Sequence, residues 1–371
     1  MPKQKIHASS SLILSLCIFA ILLFPAFISK ENTSLFMATV LWDLAIAALA
    51  YFMLSQGQIS KFRAILFVII AWAFLFLFKF MPLRFQDTAY CHIAIVSILL
   101  NFIHNQYLAL SAGRWTIFGV LSLGFLWLVV TLILGQAWCS WVCFYGGFDE
   151  GFSRVFKKPL LKFKLPDKLR DFSIAFAIFI IIISFTTAVP IFCVWVCPLK
   201  ATTKFFSSDM FIRHIQLALF ISVTAFFLII FPLVIKRRTF CSFLCPFGAF
   251  ISFFGQINPF RISIDAAKCT KCKACIEKCP VFAINETNLT RGSISNYCNR
   301  CGACLDICPT EAIKITFLGK DIKLPEKFPY VFREIFQVRT IFIVICLLIS
   351  GAVSNAFMPQ AIIKLIKLIW P

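Results

Sequence analysis

The sequence reads CTKCKACIEKCP at residues 269–280 and CNRCGACLDICP at residues 298–309, and this repeat decides the fold around it. Each copy separates three cysteines by gaps of two residues and places a fourth cysteine directly before a proline. Such gaps let the backbone wrap around three irons of a cube, while the fourth cysteine leaves on a helix toward the other cube. The spacing therefore predicts two 4Fe-4S clusters with exchanged ligands. Cluster 1 is predicted to take Cys269, Cys272, Cys275 and Cys308, and cluster 2 is predicted to take Cys298, Cys301, Cys304 and Cys279.

Two other chemistries use paired cysteines, and the pattern favours neither. Disulfide scaffolds belong to small secreted domains that lack a large core. Zinc sites rarely show a duplicated run that ends in proline. The run is instead typical of bacterial two-cluster ferredoxins, and alternating residues at 261–265 and 312–316 predict a short strand on either side of it. Two cubes that share exchanged cysteines lie close together, so we expect an electron relay rather than a substrate site.

The chain as a whole is far more apolar than a soluble protein. Of its 371 residues, 60% are hydrophobic and only 14% are charged, whereas soluble domains carry about 25% charged residues. Its formal net charge is +20. The basic residues cluster between apolar runs, as the positive-inside rule expects of a membrane protein. We therefore expect contact with membrane lipid and no nucleic-acid partner.

Apolar runs long enough for a membrane helix occur throughout the chain, because a bilayer core needs roughly 20 such residues. The runs are 12–28, 35–54, 62–80, 91–110, 116–134, 174–196, 215–235 and 340–357. The first resembles a signal peptide but lacks a small-residue cleavage site, so we interpret it as an uncleaved span. The predicted fold is an all-α polytopic membrane bundle with an inserted small α+β two-cluster ferredoxin domain. Its domains are 1–260 with three CxxxC elements, 261–318 as the ferredoxin, and 319–371 as a last span and an amphipathic tail.

Two basic segments predict the orientation of the chain. One is the loop at 154–170, and the other is the Lys-Arg-Arg run at 236–238, two predicted spans later. Both should face the cytoplasm. The expected location is a bacterial-type cytoplasmic (inner) membrane, with multiple passes and with the ferredoxin on the cytoplasmic side. The tail at 362–370 is expected to lie along the membrane surface.

Three further cysteine pairs lie near the apolar runs: WCSWVCF with Cys139 and Cys143, FCVWVCP with Cys193 and Cys197, and FCSFLCPFGAF with Cys241 and Cys245. CxxxCP elements near membrane spans, followed by a two-cluster ferredoxin, resemble the NapH/NosR-type membrane-bound polyferredoxins of nitrate and nitrous-oxide respiration. The resemblance implies quinol oxidation, or electron passage between the quinone pool, the cytoplasm and a periplasmic reductase. Two features depart from that pattern: Phe144 stands where the family has proline, and the element at Cys193 has no counterpart there.

The first and third pairs are expected at the same membrane edge, because two spans separate them. Cysteines four apart share one face of a helix, and Cys139, Cys143, Cys241 and Cys245 together offer four thiolates, the usual number for an iron–sulfur cluster. We hypothesise that they hold an additional cluster or form a redox dithiol site that feeds the ferredoxin. The alternative is that they are small buried residues that pack helix ends.

The pair Cys193 and Cys197 lies one predicted span away from the others and is expected near the opposite face. A disulfide or a handover site to an external partner fits an oxidising face. Packing is the alternative.

Ionisable side chains within apolar runs are candidates for a quinone contact. His92 and His104 lie in one run but twelve residues apart, roughly 18 Å along a helix axis, so they cannot ligate one haem iron together. Either could hydrogen-bond a quinone head group. Asp43 is a similar candidate in the second run.

These features predict a membrane-bound iron–sulfur electron-transfer protein that passes electrons between the quinone pool and a partner reductase. It would be the quinol-oxidising or relay subunit of an oxidoreductase, with quinone as a substrate and other redox proteins or subunits as partners. One alternative is a redox maturation or assembly factor for another membrane metalloenzyme. A redox sensor is the other alternative.

Overall fold

A computed structural model describes the chain at residues 5–28, 32–77, 107–108, 111–113, 128–161, 169, 171–187, 189–198, 208–255, 257–322 and 324–370. The first helices in chain order are α1 (Ala8–Ile28), α2 (Thr33–Gln56), α3 (Ile59–Leu75), α4 (Leu128–Trp141), α5 (Phe144–Ser153), α6 (Phe172–Thr187), α7 (Met210–Ile235) and α8 (Pro246–Phe254). After them come β1 (Phe260–Ile264), α9 (Ala274–Lys278), α10 (Glu286–Arg291), α11 (Ala303–Ile307), β2 (Ile313–Phe317), α12 (Tyr330–Ile335), α13 (Val338–Asn355) and α14 (Met358–Ile369).

Among the described residues, four helices are long and apolar enough to cross a membrane, namely α1, α2, α7 and α13. Helices α4 and α5 make a fifth span if they are counted together across their 42° bend. Large apolar side chains on α7 point outward, among them Phe211 and Ile221, as contact with lipid requires. The predicted fold class, a helical membrane bundle with a small sheet, is confirmed.

The predicted run at 174–196 is not one continuous helix. Helix α6 ends at Thr187 after 16 residues, or about 24 Å. Pro190 follows, and a proline cannot donate the backbone hydrogen bond that would continue a helix. The chain then forms a separate π-helical turn at Phe192–Val196. Most of the run at 91–110 and the first part of the run at 116–134 lie outside the described residues.

Small residues bring the helices close together. A Cβ atom at Gly147 would lie 2.5 Å from Cβ of Ala71 and 2.8 Å from the carbonyl oxygen of Phe67, so α5 crosses α3 at backbone contact. A Cβ atom at Gly351 of α13 would likewise lie 2.6 Å from the side chain of Leu22 in α1. Glycine at such crossings is usual in membrane helices, because packing rather than water exclusion holds them together.

The ferredoxin segment, defined here as residues 260–317, carries the sheet. Strands β1 and β2 are antiparallel, with Phe260 opposite Phe317 and Ile264 opposite Ile313. The predicted strands are confirmed to within one residue. The ring of Phe260 lies 5.3 Å from that of Phe342 in α13, so the sheet packs directly on a spanning helix.

Candidate functional site

The two cysteine motifs fold alike. Cys298 follows Cys269 by 29 residues, and left-handed backbone angles recur at three matching places in the two copies. These pairs are Lys271 and Arg300, Lys273 and Gly302, and Phe282 and Glu311, with φ between 50° and 80°. Backbone that alternates between right- and left-handed residues turns successive N–H groups toward one point and forms the concavity typical of iron–sulfur sites. The backbone of both copies therefore fits a cluster.

A cavity lies inside the first copy. Its lining includes Cys269, Cys272 and Cys275, together with Cys308 from the end of the second copy. These are the four residues predicted for cluster 1, so the structure brings the exchanged cysteine to the expected loop. No three His, Cys, Asp or Glu side chains in the described ranges lie close enough to hold a single metal ion. The thiolates of a cubane each bind a different iron and therefore stand further apart.

The four cysteines predicted for cluster 2 also come together. Burial raises the pKa of Cys298 to about 12, with smaller contributions from neighbouring Cys279 and Cys301. Burial also raises the pKa of Cys304 well above its usual value, and Cys298, Cys301 and Cys279 add to that shift. Such crowded thiols ionise when a cation binds them, and a coordinated thiol loses its proton outright. The site thus fits a cluster, although the ligand sets stay a prediction.

The copies differ in exposure. Residues 270–273 of the first loop are exposed, whereas the matching residues 299–302 of the second loop are buried. A Cβ atom at Gly302 would lie 2.8 Å from the side chain of Ile59 at the start of α3, while the equivalent Lys273 is exposed. The carboxylate of Asp306 accepts hydrogen bonds from the N–H groups of Ile59 and Ser60, at 3.1 and 2.7 Å. The second loop therefore faces the membrane helices, and the first loop faces solvent.

The three CxxxC elements share one backbone turn. In each, the N–H of the second cysteine donates to the carbonyl oxygen five residues earlier, and that cysteine is extended rather than helical. The bonds run from Cys143 to Trp138 at 3.1 Å, from Cys197 to Phe192 at 2.8 Å, and from Cys245 to Phe240 at 3.1 Å. The elements are thus wide turns at a helix break, and not the regular helical turn expected from the spacing.

The first and third elements meet, as their spacing along the chain suggested. Cys143 lies within electrostatic range of Cys139 and Cys245, and Cys241 lies within range of Cys143 and Cys245. Three of the four are buried, and Cys241 is half-buried. The arrangement places four thiols in one neighbourhood. Whether they hold a metal stays a prediction.

The second element lies close to the first. The sulfur of Cys197 lies 3.1 Å from the hydroxyl of Tyr145, two residues after Cys143. The carbonyl oxygen of Pro198 accepts a hydrogen bond from the hydroxyl of Thr224 in α7 at 3.3 Å. The expectation of an opposite-face pair, Cys193 and Cys197, stays a prediction. Both Cys193 and Cys197 are buried.

A buried charged network joins the first and third elements to the ferredoxin segment. Glu150 of α5 forms ion pairs with Arg63 at 2.5 Å, with Arg154 at 2.5 Å, and with Arg238. Asp149 accepts hydrogen bonds from the backbone N–H groups of Thr239 and Cys241, at 3.2 and 2.9 Å. Sequence reasoning missed these residues. The sequence signal that could have indicated them is the pair Asp149 and Glu150 next to an apolar stretch. Charged side chains in such a place are usually paired with opposite charges.

Of the three candidates for a quinone contact, the structure describes Asp43. His92 and His104 lie outside the described residues. Asp43 is buried in α2, and its carboxylate accepts a hydrogen bond from the side-chain amide of Asn355 at 3.0 Å.

Comparisons with known proteins agree with this geometry. Residues 268–313 match the family model of a 4Fe-4S dicluster domain. The model of a 4Fe-4S binding domain matches three stretches, 115–165, 172–215 and 217–264. Each of these stretches contains one CxxxC element, so the pair at Cys193, which had no counterpart in the expected pattern, belongs to the same series. No curated protein matches the chain, and no solved structure matches it. With its spanning helices, the chain is a multi-pass membrane iron–sulfur protein of the electron-transfer kind.

Proposed function

We propose that this protein relays electrons between the quinone pool and a partner reductase. The observation that carries the proposal is the asymmetry of the cysteine loops. Residues 270–273 are open to a soluble partner, whereas residues 299–302 are buried. Gly302 packs against Ile59 of α3, and Arg300 donates to the carbonyl oxygen of Leu134 in α4. A relay between an aqueous carrier and a site in the membrane needs one accessible end and one embedded end.

The proposed ligand sets are those given by the spacing. Cluster 1 uses Cys269, Cys272, Cys275 and Cys308, and cluster 2 uses Cys298, Cys301, Cys304 and Cys279. Support comes from the cavity that the first set lines and from the mutual proximity of the second. We also keep the domain division at 1–260, 261–318 and 319–371 as part of the proposal.

Cys139, Cys143, Cys241 and Cys245 are proposed to hold an additional iron–sulfur centre. Their proximity and the match of their stretches to a 4Fe-4S binding domain support it. Four thiolates are the usual complement of a cluster. A dithiol site or plain packing is the competing explanation, and iron content separates them.

The ferredoxin segment is proposed to face the cytoplasm of a bacterial-type inner membrane. The loop after α5 lies against the end of α7, where the N–H of Leu160 donates to the carbonyl of Val234 at 2.9 Å. Arg237 donates to the carbonyl oxygen of Ile276 in the ferredoxin segment at 3.1 Å. Both basic segments thus lie on the ferredoxin side, the side that the positive-inside rule assigns to the cytoplasm.

The test is anaerobic EPR on purified full-length protein in lipid nanodiscs, before and after the addition of a reduced quinone. We expect quinol to produce the signals of reduced clusters, and dithionite to define full reduction in a parallel sample. If dithionite reduces the clusters and quinol leaves them oxidised at every quinol concentration, the quinone part of the proposal is wrong.

A further inference from the structure

Two arginines with fully buried side chains connect the second cysteine loop to the first CxxxC turn. Arg63 of α3 donates from Nε to the carbonyl oxygen of Cys301 at 2.9 Å and from Nη1 to that of Ser140 at 2.6 Å. Its third nitrogen, Nη2, pairs with Glu150 at 2.5 Å. One side chain thus touches a cluster 2 cysteine and the residue next to Cys139.

Arg238 connects the first CxxxC turn to the end of the first cysteine motif. Its backbone N–H donates to the carbonyl oxygen of Pro280, the residue after Cys279, at 2.7 Å. Its Nη1 donates to the carbonyl oxygen of Cys139 at 3.1 Å and to the hydroxyl of Ser140 at 3.2 Å. The contact with Pro280 is made by the backbone of Arg238, whereas its guanidinium lies within electrostatic range of Cys301. Cys279 and Cys301 are both predicted ligands of cluster 2.

The charges around this connection are counted over both sides of it. The guanidinium groups of Arg63, Arg154 and Arg238 face three carboxylates, on Asp149, Glu150 and Asp306. A fourth guanidinium, on buried Arg300, donates to the carbonyl oxygens of Phe260 and Leu134 and lies within electrostatic range of Cys298, so the group as a whole is positive. The first three arginines all lie within electrostatic range of Cys301. A net positive charge in a buried environment acts strongly on a nearby redox group, because little water screens it.

We propose that Arg63 and Arg238 are positioning residues that set the reduction potential of cluster 2 and leave cluster 1 largely unaffected. The proposal rests on the proposed function, in that cluster 2 must be bound. One-electron reduction adds one negative charge to a cluster, and buried cations next to its cysteines stabilise that reduced form. Net charge and hydrogen bonding near the cluster are among the known determinants of iron–sulfur potentials. The cations near cluster 1 are exposed lysines such as Lys271, which solvent screens, and the half-buried Arg237, which donates to the carbonyl oxygen of Ile276.

The experiment is an EPR-monitored redox titration of the anaerobically purified full-length protein. Cluster 1 is identified by Cys272→Ser, which changes one of its ligands and hence its spectrum. We expect Arg63→Gln to shift the midpoint potential of the other cluster to a more negative value. Arg63→Lys keeps the charge and should keep most of the potential, although a lysine cannot make all three contacts of Arg63. Lys271→Gln, which removes an exposed charge beside Cys272, is the matched control and should move neither cluster measurably.

Arg154→Gln is a second variant that tests the inference even if the buried variants do not fold. Arg154 is 36% exposed and pairs with Glu150, so its loss should be tolerated and should lower the same potential by a smaller amount. Equal shifts of both clusters, no shift of either, or identical shifts in Arg63→Gln and Arg63→Lys would overturn the inference. Wild-type protein without iron would instead contradict the proposed function itself, so the two failures are distinguishable.

Discussion

Replacing Glu150 by glutamine tests whether the charged network holds the ferredoxin segment on the membrane helices. The side chain of Glu150 is 1% exposed, and those of Arg63 and Arg238 are 0% exposed. The substitution keeps the size of the side chain but removes the charged partner that directly pairs with both buried guanidinium groups. Removal of one partner from a buried ion pair costs about 3–5 kcal/mol. That is a change of roughly 100- to 5,000-fold in the unfolding equilibrium, since about 1.4 kcal/mol is tenfold.

Thermal unfolding in detergent micelles measures the effect. At about 2 °C per kcal/mol, the loss corresponds to a Tm lower by roughly 6–10 °C. Glu286→Gln is the matched control, because Glu286 pairs with Lys273 at 2.7 Å but the two side chains are 71% and 56% exposed. An exposed pair contributes about 0–1 kcal/mol, so the control should change Tm by no more than about 2 °C. Equal shifts in the two variants would refute the structural role assigned to Glu150.

Two further substitutions have distinct expected outcomes. Gly147→Ala should destabilise the protein by about 1–3 kcal/mol through overpacking, because the new methyl group meets Ala71 at 2.5 Å. Gly151→Ala, one turn later on the same helix, meets nothing closer than 3.5 Å, and a denaturation curve no more stable than that of Gly147→Ala would contradict the crossing geometry. Cys308→Ser should abolish or alter the EPR signal of cluster 1 while the second signal persists, and Cys279→Ser should do the reverse. Loss of the signal that belongs to the same motif in each case would show that the ligands are not exchanged.

The sequence was sufficient to predict those features for which the chemistry requires a fixed spacing of residues along the chain. The 4Fe-4S dicluster domain at 268–313, the two short strands and the spans within α1, α2, α7 and α13 all follow from local patterns. The proximity of the two CxxxC elements at Cys139 and Cys241 agrees with the expectation from the sequence.

Long-range contacts explain what the sequence could not reveal. The hydropathy of residues 174–196 is high throughout, but the helix ends at Thr187, before Pro190, so the contact between Cys197 and Tyr145 was not expected. The Lys-Arg-Arg run was interpreted as a cytoplasmic segment. In the structure, Arg238 is buried, because Glu150 lies opposite it although it is distant in sequence.

The difference in exposure between the two cysteine loops also has a signal in the sequence. The first motif has Lys273 where the second has Gly302, and only glycine allows α3 to approach that loop so closely. A difference of this kind between two otherwise matching motifs indicates which copy faces a protein surface.

Iron and acid-labile sulfide in membrane-extracted, anaerobically purified protein show most directly whether the two ferredoxin motifs hold clusters. We expect at least about eight irons per chain from these motifs. We also expect Cys272→Ser and Cys301→Ser each to disturb a different cluster. Membrane protein that lacks iron and sulfide after anoxic reconstitution, with all eight cysteines intact, would show that the motifs hold no clusters.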